Sequence, residues 1–183
     1  MSNSTSSNSL QVRRLTYSAL CLALAIVLPF LTGQIPQIGS ALCPMHIPVL
    51  LCGFICGWPW GLAVGAIAPI LRYLIFGMPP IYPTAVAMMF ELATYGAVSG
   101  ILYRVLPKKP WRIYVALIAA MLAGRIVWGA AQYVLLSLSG KTFTFQAFLN
   151  GAFITAWPGI VVQIVLIPPI VYALKKAKLI DER

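Results

Sequence analysis

Apolar stretches follow one another almost without a break from residue 15 to residue 174, and that succession limits the fold more than any other feature. They cover residues 15–31, 47–55, 61–76, 84–103, 113–138 and 145–174. A stretch of about 20 apolar residues crosses a bilayer as a helix, because lipid offers no partner to an open backbone. Composition agrees: 61% of the 183 residues are hydrophobic and 9% are charged, against about 25% charged in soluble domains. A surface so poor in charge faces lipid, which excludes an ordinary soluble domain. The second stretch is too short to cross alone, and a turn signal, Gly57-Trp58-Pro59-Trp60-Gly61, separates it from the third. Read as a hairpin, the two give an all-α integral membrane protein, a compact bundle of six transmembrane helices. Read as one broken helix over 47–76, they give five.

Basic residues orient this bundle. With a cytoplasmic N-terminus, the inner segments carry Arg13 and Arg14, then Arg104, Lys108, Lys109 and Arg112, then Lys175, Lys176, Lys178 and Arg183. The outer loops carry Lys141 alone, the positive-inside pattern. Both termini are expected in the cytoplasm, and the net charge of +10 reads as a topology signal rather than a nucleic-acid patch. Residues 1–12, rich in Ser and Asn, are expected to be a disordered cytoplasmic tail. Residues 13–178 form the membrane domain and 179–183 a second tail. The first apolar run follows two arginines as a signal peptide does, but no small-x-small cleavage site follows it, which favours a retained helix.

Two outer loops are uncharged and rich in proline and glycine. One holds Gly33, Ile35, Pro36, Ile38, Gly39 and Pro44; the other holds Gly77, Met78, Pro79, Pro80, Tyr82 and Pro83. They serve either as a lid over an outward cavity or as plain connectors.

Three ionisable residues interrupt the apolar runs: Arg72, Glu91 and Arg125. A charge at a helix centre costs about 2.5–3.5 kcal/mol on insertion scales, so each is a candidate functional residue. Counting helical rise puts all three at mid-depth or in the outer half of the membrane. Spacing gives them companions on shared faces: Met88 and Tyr95 with Glu91, then Trp128 and Gln132 with Arg125. Asn150, Ile154 and Trp157 share a face in the last stretch, with Gln163 deeper. Apolar and aromatic walls with a few converging polar groups describe a small-ligand site. The competing reading is a Glu91–Arg125 pair that only ties two helices together. That pair leaves Arg72 over, and a surplus arginine fits a carboxylate ligand or a side chain snorkelling to the interface.

Enzyme signatures are sparse. His46 lies between Pro44 and Pro48 at an outer helix start, with no partner at metal-ligand spacing, and reads as a cap or a pocket-rim residue. Glu91 has no second carboxylate in the spans. Cys21, Cys43, Cys52 and Cys56 show no C-x-x-C spacing and read as small membrane-buried hydrophobes. No P-loop is present, and no cofactor or metal is expected. Small residues recur at four-residue intervals, Ala19 with Ala23 and Gly53, Gly57, Gly61, Gly65, a spacing that lets helices approach closely in lipid.

Several of these features together resemble the substrate-binding S component of energy-coupling factor (ECF) vitamin transporters. The Ala19-xxx-Ala23 face and the Pro/Gly loop after the first helix carry part of the likeness. So do Met45-His46-Ile47-Pro48-Val49-Leu50-Leu51-Cys52-Gly53-Phe54-Ile55-Cys56-Gly57, Phe76-Gly77-Met78-Pro79-Pro80 and Gly124-Arg125-Ile126-Val127-Trp128-Gly129. The resemblance implies high-affinity binding of a vitamin or related micronutrient at the outer side of a prokaryotic plasma membrane. Partners follow from it: a transmembrane coupling protein, contacted through Ala19 and Ala23, and two cytoplasmic ATPases. Pantothenate is the favoured substrate, with riboflavin, folate and a thiamine precursor open. The alternative from another class is a small intramembrane enzyme acting on a lipid-like substrate, with Glu91 and His46 as acid and base. Its mark is an approach of those two residues within hydrogen-bond reach. A closed cavity ringed by Arg125, Trp128 and Asn150 marks transport.

Overall fold

A computed structural model of the chain describes residues 2–32, 41–177 and 179–180. Among these the regular structure is helical and contains no strand. Helix α1 (Ser2–Val27) ends in a 3-10 turn, Leu28–Thr32. Helices α2 (His46–Cys56) and α3 (Trp58–Phe76) are joined at Gly57 alone. A wide π turn, Ile81–Ala85, leads into α4 (Val86–Val105), and α5 (Arg112–Leu138) follows. The short α6 (Phe145–Leu149) passes through a second π turn, Asn150–Ile154, before α7 (Trp157–Lys176). The first helix begins, in backbone, at Ser2. Gly33, Ile35, Pro36, Ile38 and Gly39 of the first outer loop, with Lys178 and Arg183, lie outside the described residues.

Five stretches are long and apolar enough to cross a membrane: Leu10–Phe30, Trp58–Phe76, Ile81–Val105, Arg112–Leu138 and Phe145–Lys176. Helix α2 falls short, its 11 residues spanning only about 16 Å at the helical rise. It is nonetheless a separate helix, and it packs beside α3 across a one-residue connection. The turn signal shrinks to Gly57 because that residue adopts φ 95°, ψ 173°, while Pro59 sits in the first turn of α3, where a missing N–H costs nothing.

Burial explains why α2 can be apolar all round. Leu50 and Phe54 pack with Tyr95, Tyr103, Leu117 and Ile167 of α4, α5 and α7. Val49, Cys52 and Cys56 pack with Cys21, Ala25, Val64 and Leu92 of α1, α3 and α4. A helix buried on every side needs no polar stripe. The chain just before it is buried too. Cys43 and Met45 are in the core, and a β-carbon at Gly159 of α7 would come within 2.7 Å of the Ala41 and Leu42 carbonyl oxygens. The segment 41–45 thus enters the bundle, and α2 starts inside it.

Helix α4 is the hub, touching α2, α3 and α5. Glycine brings α3 onto it: a β-carbon at Gly61 would lie 2.6 Å from the Gly96 carbonyl oxygen, and one at Gly100 would lie 2.5 Å from the Trp58 nitrogen. Backbone-to-backbone contact of this kind is how helices associate where lipid removes the hydrophobic drive. The outer faces are correspondingly apolar, with Leu74, Val105 and Leu138 exposed.

Candidate functional site

The site grows from a glycine. A β-carbon at Gly124 of α5 would overlap the Tyr95 ring of α4, so only glycine lets the two helices approach at this level. The next residue, Arg125, then reaches the residue one turn from Tyr95, which is Glu91. Arg125 Nη1 lies 3.0 Å from Glu91 Oε1. The same oxygen accepts from the Tyr95 hydroxyl at 3.1 Å and lies 3.4 Å from His46 Nε2. The His46 and Tyr95 rings are 5.1 Å apart. Arg125 Nη2 also donates to Cys43 Sγ at 3.6 Å.

Every member is buried: Glu91 is 1% exposed, His46 3% and Arg125 6%. The carboxylate lies beside the first residue of α2, so the positive end of that helix's dipole faces it favourably. A buried ion pair gains little net stability over an apolar replacement, since desolvation offsets most of the attraction. The cluster is therefore poorly explained as a fastener alone. Within the cluster His46 Nδ1 and Arg125 Nε are left without a partner, as are the buried Gln132 Oε1 on α5 and Gln163 Oε1 and Nε2 on α7; buried polar atoms are paired in the great majority of cases.

Of the residues read from the sequence, the structure brings together Glu91, Arg125, Tyr95 and His46. His46 belongs to the interior rather than to a rim, because the entering segment 41–45 carries it down. Gln132 is buried two turns further along α5 than Arg125, and Trp128 between them is half-buried, its ring 6.1 Å from Phe143 and 6.4 Å from Phe148.

Arg72 is elsewhere. Its Nη1 donates to the Ile26 carbonyl at 2.5 Å, and its guanidinium lies 5.3 Å from the Phe30 ring and 5.6 Å from the Phe76 ring. It closes the last turn of α1, where carbonyls lack helical donors, and so adds no positive charge to the cluster. Asn150 and Trp157 are exposed and outside the buried group. The π turn between them breaks the helical register on which their shared face depended.

One member of the cluster escaped the sequence: Cys43, which Arg125 contacts, precedes α2 in a loop and carries no pattern. At the C-terminal end of α5, the Tyr82 hydroxyl donates to the Leu135 carbonyl and lies 2.6 Å from Ser139 Oγ, strapping the loop before α4 onto α5. Ala19 and Ala23 are exposed on α1, opposite the buried Ser18, Cys21 and Ala25.

No curated protein and no solved structure matches the chain. The family model described as the substrate-specific component of ECF transporters matches residues 13–171, most of the chain, which therefore belongs to that family of substrate-binding membrane transport subunits.

Proposed function

We propose that the chain captures a vitamin or related micronutrient from the outer side of a prokaryotic plasma membrane, at the cluster around Glu91, Arg125 and His46. Six helices cross with both termini cytoplasmic, α2 completing its crossing with the segment 41–45. The loop held by Tyr82 closes over the bound molecule. A coupling protein docks on the Ala19–Ala23 face and, with two cytoplasmic ATPases, drives import. The observation that carries this reading is the pair of unpartnered buried polar atoms within the cluster, His46 Nδ1 and Arg125 Nε, which a ligand would satisfy.

Pantothenate is favoured by the family resemblance, its carboxylate suiting Arg125 or Arg72. Arg72 is engaged at α1 and Arg125 at Glu91, which weakens that added charge support and keeps the whole vitamin panel open. The 3.4 Å approach of His46 to Glu91 is the feature an acid–base enzyme would share. Glu91 Oε1 is already committed to Arg125 and Tyr95 as well, and the family is one of transport components, so transport is the better reading.

Thermal unfolding of the purified protein against a vitamin panel tests it. One vitamin is expected to raise the melting temperature, Arg125→Ala to abolish that shift and the corresponding uptake, and Arg72→Ala to preserve both. A panel without any stabilising member, together with unchanged uptake by Arg125→Ala, would sink the proposal.

A further inference from the structure

We infer that Cys43 is a placeholder: its sulfur covers the edge of Arg125 that reads the bound molecule, and that molecule displaces it by presenting two hydrogen-bond acceptors side by side. This rests on the cluster being the binding site. The three nitrogens of the Arg125 guanidinium are engaged unequally. Nη1 lies 3.0 Å from Glu91 Oε1, Nη2 donates to Cys43 Sγ at 3.6 Å, and Nε has no partner. Nη1 is committed, since charge-assisted bonds to a carboxylate are among the strongest that side chains make. A thiol is a weak acceptor, so Nη2 is held loosely. Nε and Nη2 lie along one edge of the planar group and aim their hydrogens the same way, forming the fork with which arginine grips paired acceptors. In a residue only 6% exposed, half of that fork is unpartnered and the other half faces sulfur.

Cys43 reaches this position through an unusual backbone. Its φ of 48° is the one positive value at a non-glycine residue among the described residues, and the left-handed region disfavours a side chain with a β-carbon. Such strain persists where the surroundings hold it, and it gathers at ligand sites. Here the hold comes from two sides. The Cys43 carbonyl accepts from the His46 nitrogen at 3.0 Å, where α2 begins, and the neighbouring Ala41 and Leu42 carbonyls press on Gly159 of α7. One residue therefore fixes His46 through its backbone and Arg125 through its sulfur, and these are the two side chains that meet Glu91 from outside α4. Oxygen and ring nitrogen are better partners for a guanidinium than a thiol is. A molecule offering two such atoms gains Nε and Nη2 together while Glu91 keeps Nη1. A carboxylate has that form, and so does a ring carbonyl beside an unprotonated ring nitrogen, the pair that arginine reads on guanine.

Melting-temperature shifts and affinities of the purified full chain test this with pantothenate, riboflavin, folate and hydroxymethylpyrimidine. Pantothenate carries a carboxylate, riboflavin a ring carbonyl beside a ring nitrogen, and folate both, whereas hydroxymethylpyrimidine has no such pair. One of the first three is expected to bind. Arg125→Lys, which keeps a cation beside Glu91 and removes the fork, should weaken that binding about tenfold or more, and Cys43→Ala should tighten it about two- to tenfold, because one weak hydrogen bond no longer has to be broken. The melting temperature without vitamin reports whether each variant folds. Cys43→Gly, which suits a positive φ, repeats the sulfur test if the alanine variant fails, and the comparison of vitamins on the unsubstituted chain stands if Arg125→Lys does. Unchanged or weaker binding by a folded Cys43 variant would overturn the placeholder. Undiminished binding by Arg125→Lys, or stabilisation by hydroxymethylpyrimidine alone, would overturn paired-acceptor recognition and leave the binding site standing. No stabilisation of the unsubstituted chain by any of the four would remove the binding site itself.

Discussion

Glu91 meets Arg125, His46 and Tyr95 through a single carboxylate oxygen, and this concentration governs what substitution does. Removing either charge strands the other in a dry interior. Glu91→Leu and Arg125→Leu are each expected to cost about 3–5 kcal/mol, and the double variant less than either; thermal unfolding in detergent checks the order. These residues were legible because a charge in an apolar run is conspicuous. Arg72 is equally conspicuous, but its place at the end of α1 is not legible, since counting residues gives depth along a helix but not which helix lies opposite. The burial of His46 depended on a loop turning inward, which no spacing encodes.

At the scale of elements, glycine decides which helices touch. Gly53, Gly57, Gly61 and Gly65 announced close packing from the sequence, and Gly61 does meet the backbone of α4 at Gly96. Their partners on α4, Gly96 and Gly100, stand at the same four-residue interval, whereas Gly124 on α5 belongs to no such series. Gly96→Val is expected to destabilise the protein by about 1–3 kcal/mol or more, as overpacking does, because the atoms it meets are backbone and cannot rotate away. Gly140→Ala has open space around it and only the strain of its φ of 69°, so its cost should stay near about 1 kcal/mol. Comparing the two melting temperatures separates packing from conformation. The hairpin was foreseen; the π turns were not, since nothing in local composition marks one extra residue in a helical turn.

The molecule turns apolar surface outward along its helices and buries a few polar groups, while Arg104, Lys108 and Lys109 stay exposed where α4 ends. That inversion was readable from composition before any residue was placed. The surface proposed for the coupling protein is less symmetrical. The exposed stripe around Ala19 and Ala23 is shallow, flanked by Leu15, Leu20 and Val27, and a bulky substituent there would obstruct a flat partner helix without reaching Glu91. Ala19→Trp and Ala23→Trp are expected to lower uptake at least about tenfold, about 1.4 kcal/mol in coupling, while the vitamin-induced melting shift is retained. Loss of the shift itself would mean that α1 shapes the ligand site instead.

The shortness of α2 also bears on how the protein is made. An 11-residue helix is below the roughly 17–25 residues that a bilayer accepts as an independent span. It can be integrated only together with α3, the two passing into lipid as a pair hinged at Gly57. His46 therefore reaches Glu91 and Arg125 only after α4 and α5 have been synthesised and have closed around the pair, so this cluster cannot form before α5 is in place.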